Sequence, residues 1–516
     1  MNPAIPTSDV IVIGSGANGG WAAMALTAAG LDVLLLEAGP ESPAPGEAAQ
    51  PIQSACYAWS EETRHLFVDD DELPYTTPEG RPFLWIRGRQ LGGRTALWAR
   101  VALRLGAADL EGEEGEEDGW PLTYDALAPH YDRVERFLGV TGHRDDHPIV
   151  PNGELLPAPP LCEGELRLRD AVAARWPDRA VLRARVASAD GAHRGASAGA
   201  HPFSSSAGST IAVARETGRL RLITGAVVRE ILCDPGSGRA RGVAWVDRET
   251  GAEREAEARA VVLCASTIES TRILLLSRSP RHPSGLGDHA GVLGRYLMDH
   301  LYTGPVAGVV EGLENLDPSV SAGLTIPRFR NVAERWPAFR GGFGIDVAVQ
   351  RAIPAESVPP ALAAAAASGA HFKMVSFGEV LPRAENRVTL DPERRDRLGI
   401  PVPRIDFAYG DNERALAADQ VASMQAIAEA AGFRILLVDP EPALPGLSNH
   451  EVGTARMGRD PARSVLDPHN RIWGAPNVYV TDGACFPRNP CQNPTLTMMA
   501  LTDRACDHLI AALRGS

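Results

Sequence analysis

Residues 9–39 read DVIVIGSGANGGWAAMALTAAGLDVLLLEAG, and this stretch decides the fold. Residues 10–13 and 33–36 are short, continuous apolar runs, which are typical of strands buried on both faces of a parallel sheet. The alanine-rich residues 21–29 between them have a helical pattern, and Gly30 closes it. The chain is therefore predicted to begin with a β-α-β unit.

The turn between the first strand and the helix fits the pattern G-x-G-x-x-G at Gly14, Gly16 and Gly19. The first glycine permits the sharp bend, the second lets backbone N–H groups approach a pyrophosphate, and the third lets helix pack closely on strand. Glu37 ends the second strand, where a carboxylate accepts hydrogen bonds from a ribose. A chance glycine turn is the alternative, but strand, helix, strand and acid in register predict a dinucleotide site. Neighbouring residues predicted to contact the dinucleotide are Ala17, Asn18 and Ala38.

Three features favour FAD over NAD: the position of this turn near the N-terminus, a second glycine turn GRQLGGRTALW (88–98), and a late segment VYVTDGACFP (478–487). A flavin is large, and its reactive ring lies far from the adenine, so remote pieces of chain must return to hold it. In the late segment, Asp482 and Gly483 are predicted to contact the ribityl or pyrophosphate, with a purely structural turn as the alternative. Further predicted FAD contacts are Arg89, Gly92, Gly93, Thr95, Trp98, Val228 and Ala265.

Composition excludes some functions. The chain has 516 residues, 44% hydrophobic and 22% charged, as in globular proteins. A net charge of −14 disfavours a nucleic-acid partner and mildly favours neutral or cationic substrates. Seven cysteines without zinc-type spacing indicate reduced thiols and no metal site. With no apolar run of the about 20 residues that span a membrane, we predict a cytoplasmic protein.

Apolar patterns along the rest of the chain predict an interleaved architecture of the α/β class. Residues 1–105, 210–300 and 465–516 are predicted to build a Rossmann-like FAD-binding domain. Residues 106–209 and 301–464 are predicted to build a discontinuous substrate-binding domain of α+β type on a mostly antiparallel sheet. Predicted helices include residues 124–138, 268–276, 361–367, 412–430 and 494–513.

Three C-terminal segments carry a family resemblance: SNHEVGTARMG (448–458), VYVTDGACFP and CQNPTLTMMAL (491–501). Together they resemble the glucose-methanol-choline (GMC) oxidoreductases. Within that family, they resemble the bacterial pyranose and glycoside oxidases or dehydrogenases. The resemblance covers nearly the whole chain except about 305–370. It implies FAD-dependent oxidation of a hydroxyl group of a sugar or glycoside, with oxygen or a quinone-type acceptor. Fungal pyranose oxidases bond FAD covalently through a histidine of the second glycine turn, whereas this chain has Leu97 there, so we predict non-covalent FAD.

Alcohol oxidation by hydride transfer requires a base for the hydroxyl proton, and a histidine, with a pKa near 6.5, suits that role at neutral pH. In the family the histidine of H-x-x-G-T takes it, which implies His450. Asn493 stands at the second active-site position, where a His or an Asn hydrogen-bonds the substrate oxygen. Asn493 also reads as the N-cap of a helix that begins at Pro494 and Thr495, whose positive end would face the flavin.

Two other histidines are interpreted as structural: His300, and His371 as a hydrogen-bonded histidine of a sheet rather than a cavity residue. Arg94 stands where the family usually has a small residue, and its role is not explained by the sequence. Two alternatives to sugar oxidation stay open: oxidation of a secondary-metabolite alcohol such as an aminoglycoside, and non-redox lyase chemistry that keeps FAD for structure. Self-association into a homo-oligomer is compatible with the sequence.

Overall fold

The computed structural model describes residues 7–41, 66–111, 119–188, 205–313, 323–332, 335–350 and 370–515. The helix predicted at 361–367 and Cys56 lie outside these residues. The helices are α1 (Ala17–Ala28), α2 (Ala107–Glu111), α3 (Tyr124–Leu138), α4 (Glu163–Arg175), α5 (Thr210–Glu216), α6 (Thr267–Leu276), α7 (Asp411–Ala430) and α8 (Thr495–Arg514).

The strands, in chain order, are β1 (Ser8–Ile13), β2 (Val33–Leu36), β3 (Val140–Gly142), β4 (Leu156–Pro157), β5 (Leu182–Arg183), β6 (Val186–Ala187), β7 (Leu220–Ile223), β8 (Ala226–Cys233), β9 (Ala240–Asp247), β10 (Glu253–Leu263), β11 (Leu301–Val310), β12 (Leu324–Ile326), β13 (Phe343–Gln350), β14 (Ala370–Gly378), β15 (Arg387–Arg395), β16 (Pro401–Asp406), β17 (Arg434–Val438), β18 (Arg471–Ile472) and β19 (Ala475–Val480). Most of them belong to two sheets.

The first sheet has five parallel strands in the order β19-β10-β1-β2-β7. The apolar runs of β1 and β2 are buried because the sheet is covered on both faces. The N-terminal half of β10 leaves the parallel core and pairs with β9, which pairs with β8. The predicted β-α-β unit and the α/β fold class are confirmed, with α1 beginning at Ala17, inside the glycine pattern and four residues before the predicted start.

The second sheet has six strands, all antiparallel, in the order β17-β11-β14-β13-β12-β5. The stretch around 305–370, which the family resemblance does not cover, supplies three of the strands of this sheet. The long helix α7 packs against this sheet through Leu416, Met424 and Ile427, which are fully buried. This sheet is the antiparallel sheet that the sequence predicts. Its face opposite α7 closes the cavity described below.

Helix α3 links the two parts of the molecule. It lies in the range predicted for the substrate-binding domain, yet it packs on α8 of the other part. The Tyr131 hydroxyl lies 2.8 Å from Thr497 Oγ1, and His130 Nδ1 lies 2.7 Å from Asp503 Oδ2. The domain boundaries themselves stay a prediction. Among the described residues, no helix is long and apolar enough to cross a membrane.

Candidate active site

A cavity with a volume of about 390 Å³, within the range typical of small-molecule sites, lies between the first sheet and the second. It runs from the glycine turn after β1 to the first turn of α8. Most of the residues predicted to bind the cofactor or the substrate line it: Gly14, Gly16, Ala17, Asn18, Glu37, Ala38, Arg89, Gly93, Thr95, Trp98, Val228, Ala265, His450, Asp482, Gly483, Asn493, Pro494 and Thr495. Gly19 and Gly92 do not line the cavity, and their contact with a cofactor stays a prediction.

The three glycines of the first turn do different things. A Cβ on Gly19 would lie 1.8 Å from the Gly14 carbonyl oxygen, so only glycine lets α1 pack this closely on the turn. Gly14 itself has a φ of +91°, and a Cβ there would lie 2.4 Å from the Cys264 carbonyl oxygen. A Cβ on Gly16 would meet nothing within 4 Å among the residues that the structure describes. The first and third glycines are therefore needed for packing, while Gly16 keeps the cavity side of the turn open.

Glu37 is held by the turn beside it. Its Oε2 accepts hydrogen bonds from the Ser15 amide (3.0 Å) and hydroxyl (2.6 Å), and Oε1 accepts one from the Gly39 amide (2.7 Å). Burial raises the pKa of Glu37, and these hydrogen bonds oppose that shift. Oε2 thus accepts two hydrogen bonds and Oε1 one, so Oε1 keeps a lone pair for the hydrogen bond predicted from a ribose.

The side chain of Asn18 is used inside the protein. Its Nδ2 donates to the Thr481 carbonyl and to Thr502 Oγ1, both at 2.8 Å, which ties α1 to the end of β19 and to α8. The amide nitrogen of Asn18 is thus engaged inside the protein, and a contact between Asn18 and the cofactor stays a prediction. Asp482, directly after β19, accepts from Ser270 Oγ at 2.5 Å, and burial raises its pKa to about 6.

The second glycine turn packs on the first. A Cβ on Gly93 would lie 3.2 Å from Gly16 Cα, and Gly92 adopts a φ of +91°. Thr95 Oγ1 accepts from the Ser206 amide at 2.9 Å and donates to the Gly92 carbonyl. Thr95 is therefore a residue that both shapes the turn and borders the cavity.

Arg94, which the sequence left unexplained, crosses from this turn to the loop that carries His450. Its Nη1 forms an ion pair with Glu451 Oε2 at 2.7 Å and donates to Asn449 Oδ1, and its Nη2 donates to Ser266 Oγ at 3.0 Å. Glu451 is almost fully buried, while Arg94 is one-quarter exposed towards the cavity it lines. Arg94 therefore places a positive charge beside the candidate base.

The loop before His450 is organised by the buried carboxylate of Asp299. Its Oδ2 accepts from the Gly446 amide at 3.0 Å, and its Oδ1 accepts from the Ser448 hydroxyl and from the His450 amide, the latter at 3.0 Å. Burial, and then the charge of Glu451, raises the pKa of Asp299. The position of the His450 backbone thus depends on a residue about 150 positions earlier in the chain.

The glycine of the H-x-x-G-T pattern also has a geometric reason. Gly453 has a φ of +88°, and a Cβ there would lie 2.1 Å from the Tyr296 carbonyl oxygen. Next to it, Val452 pairs with Met298 in a short antiparallel bridge. These contacts join the segment that carries His450 to the segment that carries Asp299 and His300.

His450 and Asn493 are brought together as the sequence predicts. Asn493 Nδ2 lies 3.2 Å from His450 Nε2, and both side chains line the cavity. Burial, then His300, then Arg94 lowers the pKa of His450 well below its ordinary value. The histidine is therefore neutral at pH 7, which is the protonation state that a general base requires.

The prediction of Asn493 as a helix N-cap is wrong. Helix α8 begins at Thr495, its cap is Pro494, and no side chain makes a capping hydrogen bond. The Asn493 side chain turns instead to His450. Pro494 and Thr495 do line the cavity, so the positive end of α8 faces it.

The two histidines interpreted as structural differ from that description. His300 Nδ1 lies 2.9 Å from His450 Nδ1, and His300 Nε2 lies 2.5 Å from the Pro490 carbonyl oxygen. His371 is buried on β14, but neither ring nitrogen has a hydrogen-bond partner in the described part of the chain, so the hydrogen-bonded histidine predicted there is wrong. Asp299, directly before His300, was the sequence signal that this segment is functional. A buried Asp-His pair needs polar partners, and such partners gather at functional sites.

Sequence reasoning also missed the face of the second sheet that borders the cavity. Asp346 on β13 pairs with Val375 on β14, so the two side chains share a face, and Asp346 Oδ1 accepts from Thr325 Oγ1 at 2.6 Å. A single acid inside the apolar strand FGIDVAVQ was the available signal. The cavity-lining residues of this sheet are Tyr302, Asp346, Lys373, Val375 and Phe377.

The donor set at the first end of the cavity fits FAD. Arg89 Nη2 is buried with no hydrogen-bond partner in the described residues, and a cationic donor of this kind is satisfied by an anionic ligand group. The open side of Gly16 and the start of α1 add backbone N–H groups suited to a diphosphate. Glu37 Oε1 would supply an acceptor for a ribose hydroxyl.

Comparisons with known proteins agree with this geometry. Two models that describe GMC oxidoreductases match residues 191–302 and 382–502. The chain is 29% identical to 2-methyl-1,2-propanediol dehydrogenase of Mycolicibacterium austroafricanum, over 99% of this chain and 96% of that one. It is 29% identical to 6'''-hydroxyparomomycin C oxidase of Streptomyces lividus, over 98% of this chain and 93% of that one. A C-glycoside 3-oxidase of Arthrobacter globiformis is 27% identical over 59% of this chain and 56% of that one.

Among solved structures, the fold is similar to that of pyridoxine 4-oxidase from Mesorbium loti, with a TM-score of 0.63 and 20% identity over 97% of this chain and 98% of that one. This likeness concerns the fold alone. The matches to the family models bear more directly on the site than the likeness of folds does. Residues 382–502 contain His450 and Asn493, and residues 191–302 contain His300. The chain thus belongs to the glucose-methanol-choline (GMC) oxidoreductases, a family of enzymes that act on CH–OH groups.

Proposed function

We propose that this protein binds FAD without a covalent bond and oxidises a hydroxyl group of a sugar or glycoside, with His450 as the base. The observation that carries the proposal is one continuous cavity with a dinucleotide-type glycine turn at one end and the neutral His450–Asn493 pair at the other. The flavin supplies the hydride acceptor. The physiological electron acceptor is oxygen or a quinone-type compound.

The chain's own groups divide the remaining work. His450 Nε2 takes the proton of the substrate hydroxyl, because a neutral, buried imidazole has a free lone pair at neutral pH. Asn493 Nδ2 donates to the same oxygen and so holds it near the base. The start of α8 and Arg94 place positive charge beside the cavity, which favours the negative charge that develops during the reaction.

The test is an anaerobic reduction screen with the purified holoenzyme across monosaccharides, O-glycosides, C-glycosides and aminoglycosides. We expect a neutral sugar or glycoside to bleach the visible flavin absorbance, and air or a quinone to restore it. If no member of the panel bleaches the flavin while a cyanohydrin is cleaved, the oxidoreductase proposal is wrong and the lyase alternative is correct.

Non-covalent attachment has its own test. Leu97, the residue at the covalent position of related fungal enzymes, is buried and does not line the cavity. We expect acid precipitation to release the flavin into the supernatant. Yellow colour that stays with the pellet would contradict this part of the proposal.

A second candidate substrate class is an amino-sugar glycoside, and Asp346 favours it. A carboxylate on the cavity face of the second sheet pairs with an ammonium group and also accepts hydrogen bonds from hydroxyl groups. The substitution Asp346→Asn separates the two classes. If the substrate is cationic, the Kd for amino glycosides rises at least tenfold while that for matched neutral glycosides changes little; equal changes for both would remove this candidate.

A further inference from the structure

The histidine pair at the second end of the cavity is a chain of three polar contacts. It runs from the Pro490 carbonyl oxygen to His300 Nε2 (2.5 Å), from His300 Nδ1 to His450 Nδ1 (2.9 Å), and from His450 Nε2 to Asn493 Nδ2 (3.2 Å). The two imidazole rings are almost perpendicular, at 85°, with centroids 5.0 Å apart. His300 is 1% exposed, so water does not compete for its nitrogens.

The proton positions in this chain follow from the first contact. A carbonyl oxygen can only accept, so His300 Nε2 must carry a proton. Burial lowers the pKa of His300 to about 4, so at neutral pH its ring holds one proton only, and Nδ1 has a lone pair. The His450 nitrogen that faces it must then donate, which places the one proton of neutral His450 on Nδ1. His450 Nε2 is left with a lone pair directed at Asn493 and the cavity.

We infer that His300 is the positioning residue of the base: it fixes His450 in the tautomer with Nδ1 protonated and Nε2 free, and it accepts the hydrogen bond that stabilises the imidazolium formed when His450 takes the substrate proton. The role of His450 as base rests on the proposed function. The tautomer does not, since it follows from the contacts of the two rings. Without an acceptor at its Nδ1, His450 can place its proton on Nε2, where it blocks the position that must receive the hydroxyl proton.

The other groups around the pair do not offer this acceptor. Asp299 receives the backbone amide of His450 rather than its ring. Arg94 and the buried Glu451 pair with each other. Among the described residues, His300 is thus the acceptor that faces His450 Nδ1, while the Asn493 amide nitrogen, which can only donate, faces His450 Nε2, so the two contacts favour the same tautomer.

The first readout is the tautomer itself, measured on the oxidised, substrate-free holoenzyme labelled with [15N]histidine. The two pairs of ring signals are assigned by their loss in His300→Asn and His450→Ala. We expect His450 to have a protonated Nδ1 and a non-protonated Nε2, and His300 to have the opposite tautomer. A protonated Nε2 on His450 in the unsubstituted protein overturns the inference, whether or not any variant folds.

The second readout is the rate of anaerobic flavin reduction in three variants. His300→Leu removes the acceptor, and we expect a fall of about 10²-fold, which approaches the effect of losing a general base. His300→Asn keeps an oxygen acceptor near the Nδ1 position and is expected to restore most of the rate. His371→Leu, a buried histidine on the second sheet outside the cavity, is the matched control and should leave the rate unchanged.

The substrate Kd separates positioning from a structural role. We expect it to change less than threefold in His300→Leu while the limiting rate falls. Equal losses in His300→Leu and His300→Asn, or a loss in Kd alone, contradict the inference. If the substrate screen fails but the two opposite tautomers are observed, the proposed function falls and the assignment of the pair stands.

Discussion

The two ends of the cavity are built in different ways. The dinucleotide end rests mainly on the backbone geometry of one short stretch, where Gly14, Gly16 and Gly19 set a turn and Glu37 closes it, while Arg89 is added from the second glycine turn. The histidine end is made by side chains from segments far apart in the chain, including Asp299 and His450. The difference teaches that a cofactor site can be local and steric, whereas a base must be oriented by buried polar partners from elsewhere.

The largest expected effect is on the rate of flavin reduction, and it comes from a substitution that disables the histidine end alone. His450→Ala removes the proton acceptor, so we expect flavin reduction to slow by about 10²- to 10⁴-fold, the usual contribution of a positioned general base. FAD content should stay the same because His450 lies at the far end of the cavity from the glycine turn. Stopped-flow absorbance under anaerobic conditions measures both, and an unimpaired variant would remove His450 from the mechanism.

The next largest effect is expected from a substitution at the dinucleotide end, and it concerns stability and FAD content. Gly19→Ala would force a methyl group to within 1.8 Å of the Gly14 carbonyl oxygen, so α1 must move, and overpacking of this kind costs about 1–3 kcal/mol or more. We expect a lower thermal midpoint and a large loss of bound FAD. Midpoint and flavin content are measured on the purified protein.

Gly16→Ala is the matched control for Gly19→Ala, because it adds the same methyl group to the same turn without a clash among the described residues. Its φ of −65° suits alanine, and the new methyl group meets no atom within 4 Å in the described part of the chain. The fold should therefore be kept while FAD affinity falls, because the methyl group occupies the open side of the turn. A Gly16→Ala variant that binds FAD as well as the unsubstituted protein would argue against a diphosphate at this turn.

A smaller effect concerns pH. Because burial, His300 and Arg94 hold the pKa of His450 below the ordinary value of about 6.5, the reduction rate should be flat at neutral pH and fall only in more acidic solution, where His450 is protonated. Arg94→Met removes the cation and leaves the Glu451 carboxylate unpaired, and both changes raise the pKa of His450. The acid limb of the profile is expected to move towards higher pH.

The control for this shift is Arg81→Met. Arg81 forms an exposed ion pair with Asp406 and has no contact with the cavity. Such surface pairs contribute about 0–1 kcal/mol, so neither stability nor the pH profile should change measurably. An acid limb that stays in place in Arg94→Met would show that Arg94 does not act on the base.

The sequence predicts the two ends unequally, and the reason is physical. The β1-α1-β2 unit, Gly14, Gly16 and Glu37 are readable because a turn and a strand end depend on neighbours in the chain. The family pattern places His450 and Asn493, but not the partners of His450. Asp299 and His300 act through contacts across about 150 positions, which periodicity does not encode. Asn493 was misread as a cap because Asn-Pro favours a helix start locally, while the tertiary contact with His450 prevails.

The central claim is that a substrate carbon gives hydride to the flavin while the histidine end takes the proton of its hydroxyl group. The most direct measurement uses the best substrate of the screen, deuterated at the carbon that bears that hydroxyl, in anaerobic stopped-flow reduction of the holoenzyme. We expect deuterium to slow the bleaching of the flavin and the product to be the corresponding carbonyl compound. Bleaching at the same rate with both isotopologues, or no carbonyl product, would contradict it.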